Sequence, residues 1–436
     1  MARQSIISAI DLGTDKCVTL IAGIDAQTHH LNVMGVAAVP SRGVRKSQIV
    51  DLEQVISTMT ESLDAAERMA GLEISSSYFS ISGAHIACQN SRGVVAVAAP
   101  NQEIVLEDVD RVIEAARAVS LPADREILHV VPHDFTVDSQ EGIKDPVGMT
   151  GIRLETEAHI ITGMGTAIRN LTKCAQDLGL EVDGFVFSGF ASADVVLSET
   201  EKELGVLLID IGAGTTSVCA FIDGALSYSG VFPVGARHIT QDIALGCRLS
   251  LDDAEKIKLF LTEDDFMTIK PRAGESKDEF KKRKAKEDHL DLSKLNITDK
   301  TQSLSKSTLF EGIMVPRMKE IFTLIGKELK QKNILSDIPA GLVITGGGAE
   351  TIGIVEVAKR TLNLPARVGV PLQLQGLIED IQKPSFSTSV GLLLYGQKHS
   401  GVKVVSTSFN IKSVFQNFKF GHMFNGIKSI FKSILP

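Results

Sequence analysis

The chain has 436 residues, 44% of them hydrophobic and 22% charged, which predicts a soluble globular protein with at least two lobes. It contains no Trp, three Tyr and no run of 18 uncharged apolar residues, which argues against base stacking on nucleic acid and against a membrane-spanning helix. The five cysteines have no metal-binding spacing, so we expect buried, reduced thiols.

The net charge of −8 is distributed unevenly along the chain. The last 56 residues contain seven Lys and no Asp or Glu, so they carry +7 and the first 380 residues carry −15. The acidic body disfavours nucleic acid, whereas the basic tail favours an anionic partner. The N-terminus has no signal-peptide core, and we therefore expect a cytosolic protein.

Apolar runs and turn residues predict that the chain begins with a three-stranded meander, at Ser5–Leu12, Cys17–Ile24 and Leu31–Val39. A helix and a strand follow, at Leu52–Ala70 and Tyr78–Ser82. Residues 84–162 are predicted to be a small α/β unit, with a pair of strands before Pro100, a helix at Leu106–Val119 and two further strands at Ile127–Val137 and Ile152–Thr162. A helix and a strand then follow, at Thr166–Asp177 and Val182–Ser188.

The meander pattern returns about 199 residues later, at Val206–Ile211, Thr216–Ile222 and Ala225–Phe232. Such a repeat predicts two similar lobes that face each other. The remaining predicted elements are one strand and four helices, at Ala340–Thr345, Arg237–Leu245, Leu251–Leu261, Val315–Gln331 and Ser389–Tyr395. The charged stretch Lys270–Asp291 is predicted to be a solvated loop or an exposed helix.

Two equivalent segments place an Asp at the tip of a buried strand and small residues after it: Ile10-Asp11-Leu12-Gly13-Thr14 and Ile209-Asp210-Ile211-Gly212-Ala213-Gly214-Thr215-Thr216. Glycine lets the backbone approach phosphate oxygens, and the N–H groups of such a turn can hold an anion. The Asp side chains would hold Mg²⁺ or its waters, since a carboxylate repels phosphate. Either turn alone is a common hairpin, and neither is a P-loop or a Rossmann fingerprint.

A third segment, Val343-Ile344-Thr345-Gly346-Gly347-Gly348-Ala349, ends a strand with three glycines. These cost roughly 2–3 kcal/mol relative to alanines in regular structure. A tight turn needs one glycine, so we expect a flat ligand to lie against this backbone.

The three segments together resemble the actin, Hsp70 and sugar-kinase superfamily over residues 1–396. The resemblance implies an α/β fold of two ribonuclease-H-like lobes that close on ATP and Mg²⁺. It implies phosphate contacts from Asp11, Gly13, Thr14, Lys16, Asp210, Gly212, Gly214, Thr215 and Thr216, with Mg²⁺ held through water by Asp11 and Asp210. It also implies adenosine contacts from Gly346, Gly347 and Gly348, and ribose contacts from Glu255 and Lys258.

Within this superfamily the chain resembles the FtsA family of bacterial cell-division proteins most closely. The unit at 84–162 has the position of the FtsA-type extra subdomain, and the segments 231–236 and 240–243 are similar to that family. The implied domains are lobe 1 at 1–83, 163–204 and 370–396, the extra subdomain at 84–162, the lobe 2 core at 205–245 and 335–369, a further subdomain at 246–334, a linker at 397–421 and an amphipathic helix at 422–436.

The end of the chain supports the predicted amphipathic helix. Its apolar residues form one stripe on a helix: Met423, Phe424, Ile427, Ile430, Phe431, Ile434 and Leu435. The helix is too short to span a bilayer, but it suits the interface of an anionic membrane, with Lys428 and Lys432 at the head groups. The alternative is an ordinary C-terminal helix packed on its own core. Because one such helix binds weakly, we expect stable attachment to require many copies.

The leading hypothesis is a filament-forming cell-division protein that binds ATP and tethers the tubulin-like FtsZ to the cytoplasmic face of the inner membrane at the division site. The resemblance implies that the FtsZ C-terminal peptide docks on 246–334, near Arg317, and that transmembrane division proteins contact 84–162. The alternatives are a kinase or a chaperone ATPase of the same fold. A kinase needs a general base, and the sequence shows none that stands out. A chaperone needs a substrate domain, and only some 40 residues follow the fold. We expect ATP binding with slow hydrolysis at most.

Overall fold

The computed structural model describes residues 5–25, 28, 30–98, 103–263, 275–295, 297, 304–371, 374–376 and 381–399. Most of the predicted linker and the whole predicted amphipathic helix lie outside these residues, as do residues 270–274 of the charged stretch.

The strands, numbered along the chain, are β1 Ser5–Leu12, β2 Lys16–Ile24, β3 Leu31–Pro40, β4 Val44–Arg45, β5 Gln48–Ile49, β6 Ser76–Ile81, β7 Ala87–Ala96, β8 Arg125–Val137, β9 Gln140–Ile143, β10 Arg153–Met164, β11 Glu181–Phe187, β12 Val206–Ile211, β13 Thr216–Ile222, β14 Ala225–Phe232, β15 His289–Leu290, β16 Leu304–Ser305, β17 Gly341–Thr345, β18 Ala366–Val368 and β19 Gln375–Gly376.

The helices are α1 Leu52–Ala70, α2 Leu106–Arg117, α3 Gly165–Asp177, α4 Ser188–Val196, α5 Glu199–Leu204, α6 Arg237–Cys247, α7 Leu251–Glu263, α8 Lys277–Glu287, α9 Lys306–Leu309, α10 Val315–Gln331, α11 Ile354–Leu362 and α12 Ser387–His399. Short 3₁₀ turns lie at Leu292–Leu295, Gly347–Glu350 and Pro384–Phe386, and a π turn at Phe310–Met314 leads into α10. The sequence pattern does not predict α4, α5 or α11.

The two meanders belong to two sheets that share the topology of five strands, and the first sheet has β19 as a sixth. The first sheet has the order β11-β6-β1-β2-β3-β19 and the second has the order β14-β13-β12-β17-β18. In each sheet the first meander strand pairs antiparallel with the second and parallel with a later strand, β6 or β17. This equivalence confirms the predicted two-lobed, duplicated α/β fold.

Apolar layers cover both faces of the central strands. All six residues of β12 are buried, with Leu207 and Ile209 in one apolar cluster and Leu208 in another. Burial on both faces explains why these strands are nearly continuous apolar runs in the sequence. A side chain at the end of such a strand therefore lies at the edge of the apolar core, next to both of its layers.

The segment between β6 and α3 forms a separate antiparallel sheet of order β7-β10-β8-β9, with α2 packed on it. Helix α2 comes very close to Gly93, where an added Cβ would lie 2.1 Å from the Val112 carbonyl oxygen. This unit also contacts the second sheet. The His159 ring bonds the Ser229 hydroxyl of β14 at 2.9 Å, and the His133 ring bonds the Leu226 carbonyl at 2.6 Å.

A mainly helical region follows β14. Apolar residues of α6, α7 and α10 share one cluster with the second sheet, including Ile243, Ile257 and Ile321. Helix α8 packs less apolar surface, and most of its residues are exposed, which confirms the prediction of an exposed helix within 270–291.

Candidate functional site

The tips of β1 and β12 open into one cavity of about 440 Å³, a volume typical of small-molecule sites. The sequence predicted fourteen binding residues, and twelve of them line this cavity: Asp11, Gly13, Thr14, Lys16, Asp210, Gly212, Thr215, Glu255, Lys258, Gly346, Gly347 and Gly348. Residues that lie as much as 337 positions apart, Asp11 and Gly348, therefore meet at one site.

The two Asp-tipped turns have the same backbone geometry. The Gly13 N–H donates to the Lys16 carbonyl at 3.0 Å, and the Gly212 N–H donates to the Thr215 carbonyl at 2.9 Å. Within the described part of the chain, the N–H groups inside these turns have no acceptor: those of Thr14, Asp15, Ala213 and Gly214. Such groups form a concavity that suits the oxygens of an anion.

The turns also touch each other across the cleft. The Ser47 hydroxyl lies 2.8 Å from that of Thr215, and the Ser47 N–H donates to the Thr14 hydroxyl at 2.9 Å. An added Cβ on Gly214 would lie 2.8 Å from the Thr14 hydroxyl oxygen. Gly214 thus contributes close contact between the turns and does not line the cavity itself.

Each carboxylate at the strand tips is held by hydroxyl groups. The Ser80 hydroxyl donates to Asp11 Oδ1 at 2.6 Å, and burial raises the pKa of Asp11 although Ser80 and Lys16 oppose that shift. Asp210 Oδ2 accepts from Ser192 at 2.6 Å and from Thr388 at 3.1 Å.

Asp210 is strongly perturbed. Burial and the charge of Asp11 raise its pKa from 3.8 to about 6, although its hydroxyl donors act in the opposite direction. Two carboxylates that repel each other, one buried and one partly buried, are stabilised by a cation between or near them. The oxygen-only donors fit Mg²⁺, which is commonly held by one or two carboxylates, phosphate oxygens and water. No cluster of three or more His, Cys, Asp or Glu side chains within the described ranges offers a fuller protein cage.

Two of the three consecutive glycines are required by contacts inside the protein. Gly346 has φ +80, and its added Cβ would lie 2.3 Å from Asp210 Oδ1. An added Cβ on Gly348 would lie 2.4 Å from Ile211 Cγ2. Gly347 alone would meet nothing closer than Ser385 Cβ at 3.7 Å, so it leaves open surface on the cavity. The sequence predicts a ligand against all three glycines, whereas Gly346 and Gly348 allow the loop to pack on β12.

The far end of the cavity is lined by α7. Lys258 Nζ donates to Glu255 Oε2 at 2.8 Å and to the Thr240 hydroxyl at 3.1 Å. Lys258 is buried, whereas the Glu255 side chain is 42% exposed. Leu251 and Leu259 add apolar surface to the same end.

Two other predicted residues lie outside the cavity lining. Thr216 is buried, and its hydroxyl donates to the Val234 carbonyl at 2.8 Å. Arg317, the predicted partner residue, pairs on α10 with Asp242 of α6 at 2.6 Å and with Glu320. This ion pair links two helices of the region that follows β14.

The sequence did not predict the hydroxyl residues that bond the two carboxylates, Ser80, Ser192 and Thr388. It also did not predict Ser47, which bridges the two turns through Thr14 and Thr215. Isolated Ser and Thr residues carry no motif, and Ser192 belongs to a helix that the sequence did not predict. No sequence signal marked them.

The described residues include no helix that combines the length and the apolarity needed to cross a bilayer.

Comparison with known proteins gives matches over nearly the whole chain. The model "SHS2 domain inserted in FTSA" matches residues 83–162, and the model "Cell division protein FtsA" matches residues 207–391. The chain is 38% identical over 405 residues to cell division protein FtsA of Pseudomonas aeruginosa, covering 92% of each chain. It is 34% identical over 410 residues to FtsA of Escherichia coli K12, covering 91% of each.

Solved structures share the fold at low sequence identity. A chain of the PilM-PilN type IV pilus biogenesis complex has a TM-score of 0.60 at 14% identity, covering 90% of this chain and 98% of that chain. MreB 5 of Spiroplasma citri bound to AMPPNP has a TM-score of 0.50 at 13% identity, covering 91% of this chain and 97% of that chain.

The matches over more than nine-tenths of both chains favour a cell-division protein over the kinase and chaperone alternatives. Together with the duplicated sheets and the inserted antiparallel unit, they show that the chain belongs to the FtsA family of cell division proteins.

Proposed function

We propose that this chain binds Mg·ATP between its two lobes and acts as a filament-forming membrane tether in cell division. The observation that carries the nucleotide assignment is the pair of equivalent turns, each with an Asp at the strand tip and free N–H groups, on one cavity of about 440 Å³. The triphosphate would lie between the turns, and the base would lie towards Gly347 and α7. The MreB 5 structure with AMPPNP supports this assignment as an example of the fold with a bound nucleotide.

The residues have separate roles in this proposal. Asp11 and Asp210 would hold Mg²⁺ through water, and the metal would neutralise the phosphates. Lys16 would add a positive charge at the same end, while Glu255 and Lys258 would meet the ribose. Among the described residues that line the cavity there is no His, and both aspartates are bonded by hydroxyl groups. We therefore propose slow hydrolysis at most.

The tethering role rests on family membership and on the tail sequence. The stripe from Met423 to Leu435 would lie in the cytoplasmic face of the inner membrane at the division site, with Lys428 and Lys432 on anionic head groups. Self-association would multiply this weak contact. The FtsZ C-terminal peptide would bind at 246–334, near Arg317, and transmembrane division proteins would bind the unit at 84–162. We also propose the domain bounds that the sequence implies: lobe 1 at 1–83, 163–204 and 370–396, the extra subdomain at 84–162, the lobe 2 core at 205–245 and 335–369, a further subdomain at 246–334, a linker at 397–421 and the amphipathic helix at 422–436.

Isothermal titration calorimetry with ATP tests the nucleotide assignment. We expect binding in Mg²⁺ that weakens at least tenfold in EDTA and in the Asp210→Asn variant. Thr262→Val, which removes a hydroxyl bonded within α7 to the Lys258 carbonyl, is a matched control on the same lobe. No heat with the wild-type protein, or full affinity in Asp210→Asn, would contradict the proposal.

A further inference from the structure

The short segment Pro384–Thr388, at the start of α12, contacts all three parts of the candidate site. The Pro384 carbonyl accepts from the Gly346 N–H at 3.1 Å, and the Thr388 hydroxyl donates to Asp210 at 3.1 Å. The Phe386 ring lies under Lys16, with Nζ 3.6 Å from the ring centroid. No part of this segment was singled out by the sequence.

The Lys16 ammonium has no carboxylate at ion-pair distance within the described residues, and its close contact is the Phe386 ring. Burial lowers the pKa of Lys16, although the charges of Asp11, Glu350 and Asp15 raise it. A partly buried cation without an ion pair is costly unless an anion approaches it. The ammonium lines the cavity beside the first turn, where an anion would complete its coordination.

We propose that Phe386 is a positioning residue that holds the Lys16 ammonium at the phosphate end of the cavity by a cation–π contact. This inference rests on the proposed nucleotide function. The ring contributes attraction without a negative charge, so Lys16 keeps its full charge for the phosphates. A carboxylate at the same place would neutralise Lys16 and repel the ligand. Phe386 is itself buried and packs in the apolar cluster of the first sheet, which restricts the ring, and its backbone N–H donates to the Lys383 carbonyl at 3.0 Å.

The test compares nucleotides that differ in phosphate number. In Phe386→Leu we expect the affinities for ATP and ADP to fall about three- to tenfold, while the affinity for AMP stays within twofold, because AMP has no phosphate at the Lys16 end. Phe386→Tyr keeps the ring and is expected to keep the ADP-to-AMP ratio. Phe190→Leu is a matched control, since that ring packs on His129 and Tyr395 and not on Lys16.

A double-mutant cycle separates positioning from packing. If Phe386 acts through Lys16, Phe386→Leu has no further effect on ADP affinity in a Lys16→Met background. An equal loss for AMP and ADP, or a full additional loss in that background, would overturn the inference. If a thermal melt shows that Phe386→Leu does not fold, Phe386→Met replaces it, because Met has a similar volume and no ring. The same comparison of ADP and AMP affinities then tests the inference. Absence of ATP binding by the wild-type protein would instead refute the proposed function.

Discussion

Asp210 and Asp11 line the same cavity, and burial together with the charge of Asp11 raises the pKa of Asp210 to about 6. The two side chains come from equivalent positions of two sheets with the same topology. Duplication of the fold thus brings two like charges together at the point where a metal would relieve their repulsion.

The raised pKa of Asp210 predicts a pH-dependent stability in EDTA without nucleotide. The folded state holds the Asp210 proton more tightly than the unfolded state, whose pKa is near 3.8. The stabilisation from this group is therefore full below about pH 4 and is lost as the pH rises to about 6. Relative to wild type, we expect Asp210→Asn to gain about 1–3 kcal/mol in its free energy of unfolding between pH 4 and 7. Urea unfolding at several pH values measures this difference, and a difference that does not change with pH would contradict it.

The glycine loop predicts a sharp contrast between neighbouring alanine substitutions. Gly346→Ala places a Cβ against Asp210 Oδ1 at a φ of +80, so we expect a loss of about 2–4 kcal/mol in stability. Gly347→Ala meets only Ser385 Cβ at 3.7 Å, so its stability should stay within about 1 kcal/mol of wild type. Chemical denaturation measures both, and equal losses would argue against the packing assigned to Gly346.

Arg317 forms an ion pair within the protein, so a test of its proposed role in FtsZ binding must separate that structural contact from a direct contact with the peptide. Arg317→Ala removes the bonds to Asp242 and Glu320, and we expect a loss of about 1 kcal/mol in stability because the pair is partly exposed. Asp242→Asn weakens the same pair but leaves the cation in place. If Arg317 contacts the acidic or C-terminal groups of the FtsZ peptide directly, Arg317→Ala should weaken peptide binding by tenfold or more. Asp242→Asn should then leave peptide binding nearly unchanged. Equal effects of the two variants would assign Arg317 a structural role.

The tail predicts membrane binding that depends on one face of a helix. Phe431→Asp places a charge in the apolar stripe, so we expect sedimentation with anionic liposomes to be lost. Ser433→Asp adds the same charge on the polar face and should reduce sedimentation only in part. Equal behaviour of the two variants would disprove an amphipathic stripe, and wild-type protein that stays in the supernatant would disprove membrane binding.

The sequence by itself determined the two-lobed fold and most of the candidate site. Continuous apolar runs at Val206–Ile211 and in the first meander mark strands buried on both faces, and an Asp followed by glycine marks the tip of each. These signals are local and repeat at equivalent positions, which is why most of the residues predicted at the two turns line one cavity. The other predicted residues in that lining are Glu255 and Lys258, which followed from the resemblance to the superfamily, and the three glycines, which the resemblance assigned to the adenosine.

Only the tertiary structure decided what surrounds these residues. Ser80 and Thr388 bond the carboxylates, and Phe386 lies under Lys16, although each is 69 or more residues away from its partner along the chain. Ser192 bonds Asp210 from a helix that the sequence did not predict. A hydroxyl or a ring acquires such a role through the packing of distant elements, and local pattern carries no record of that packing. The same holds for Gly346 and Gly348. Glycine is required at both positions because a side chain there would collide with β12, a contact that exists only in the folded chain.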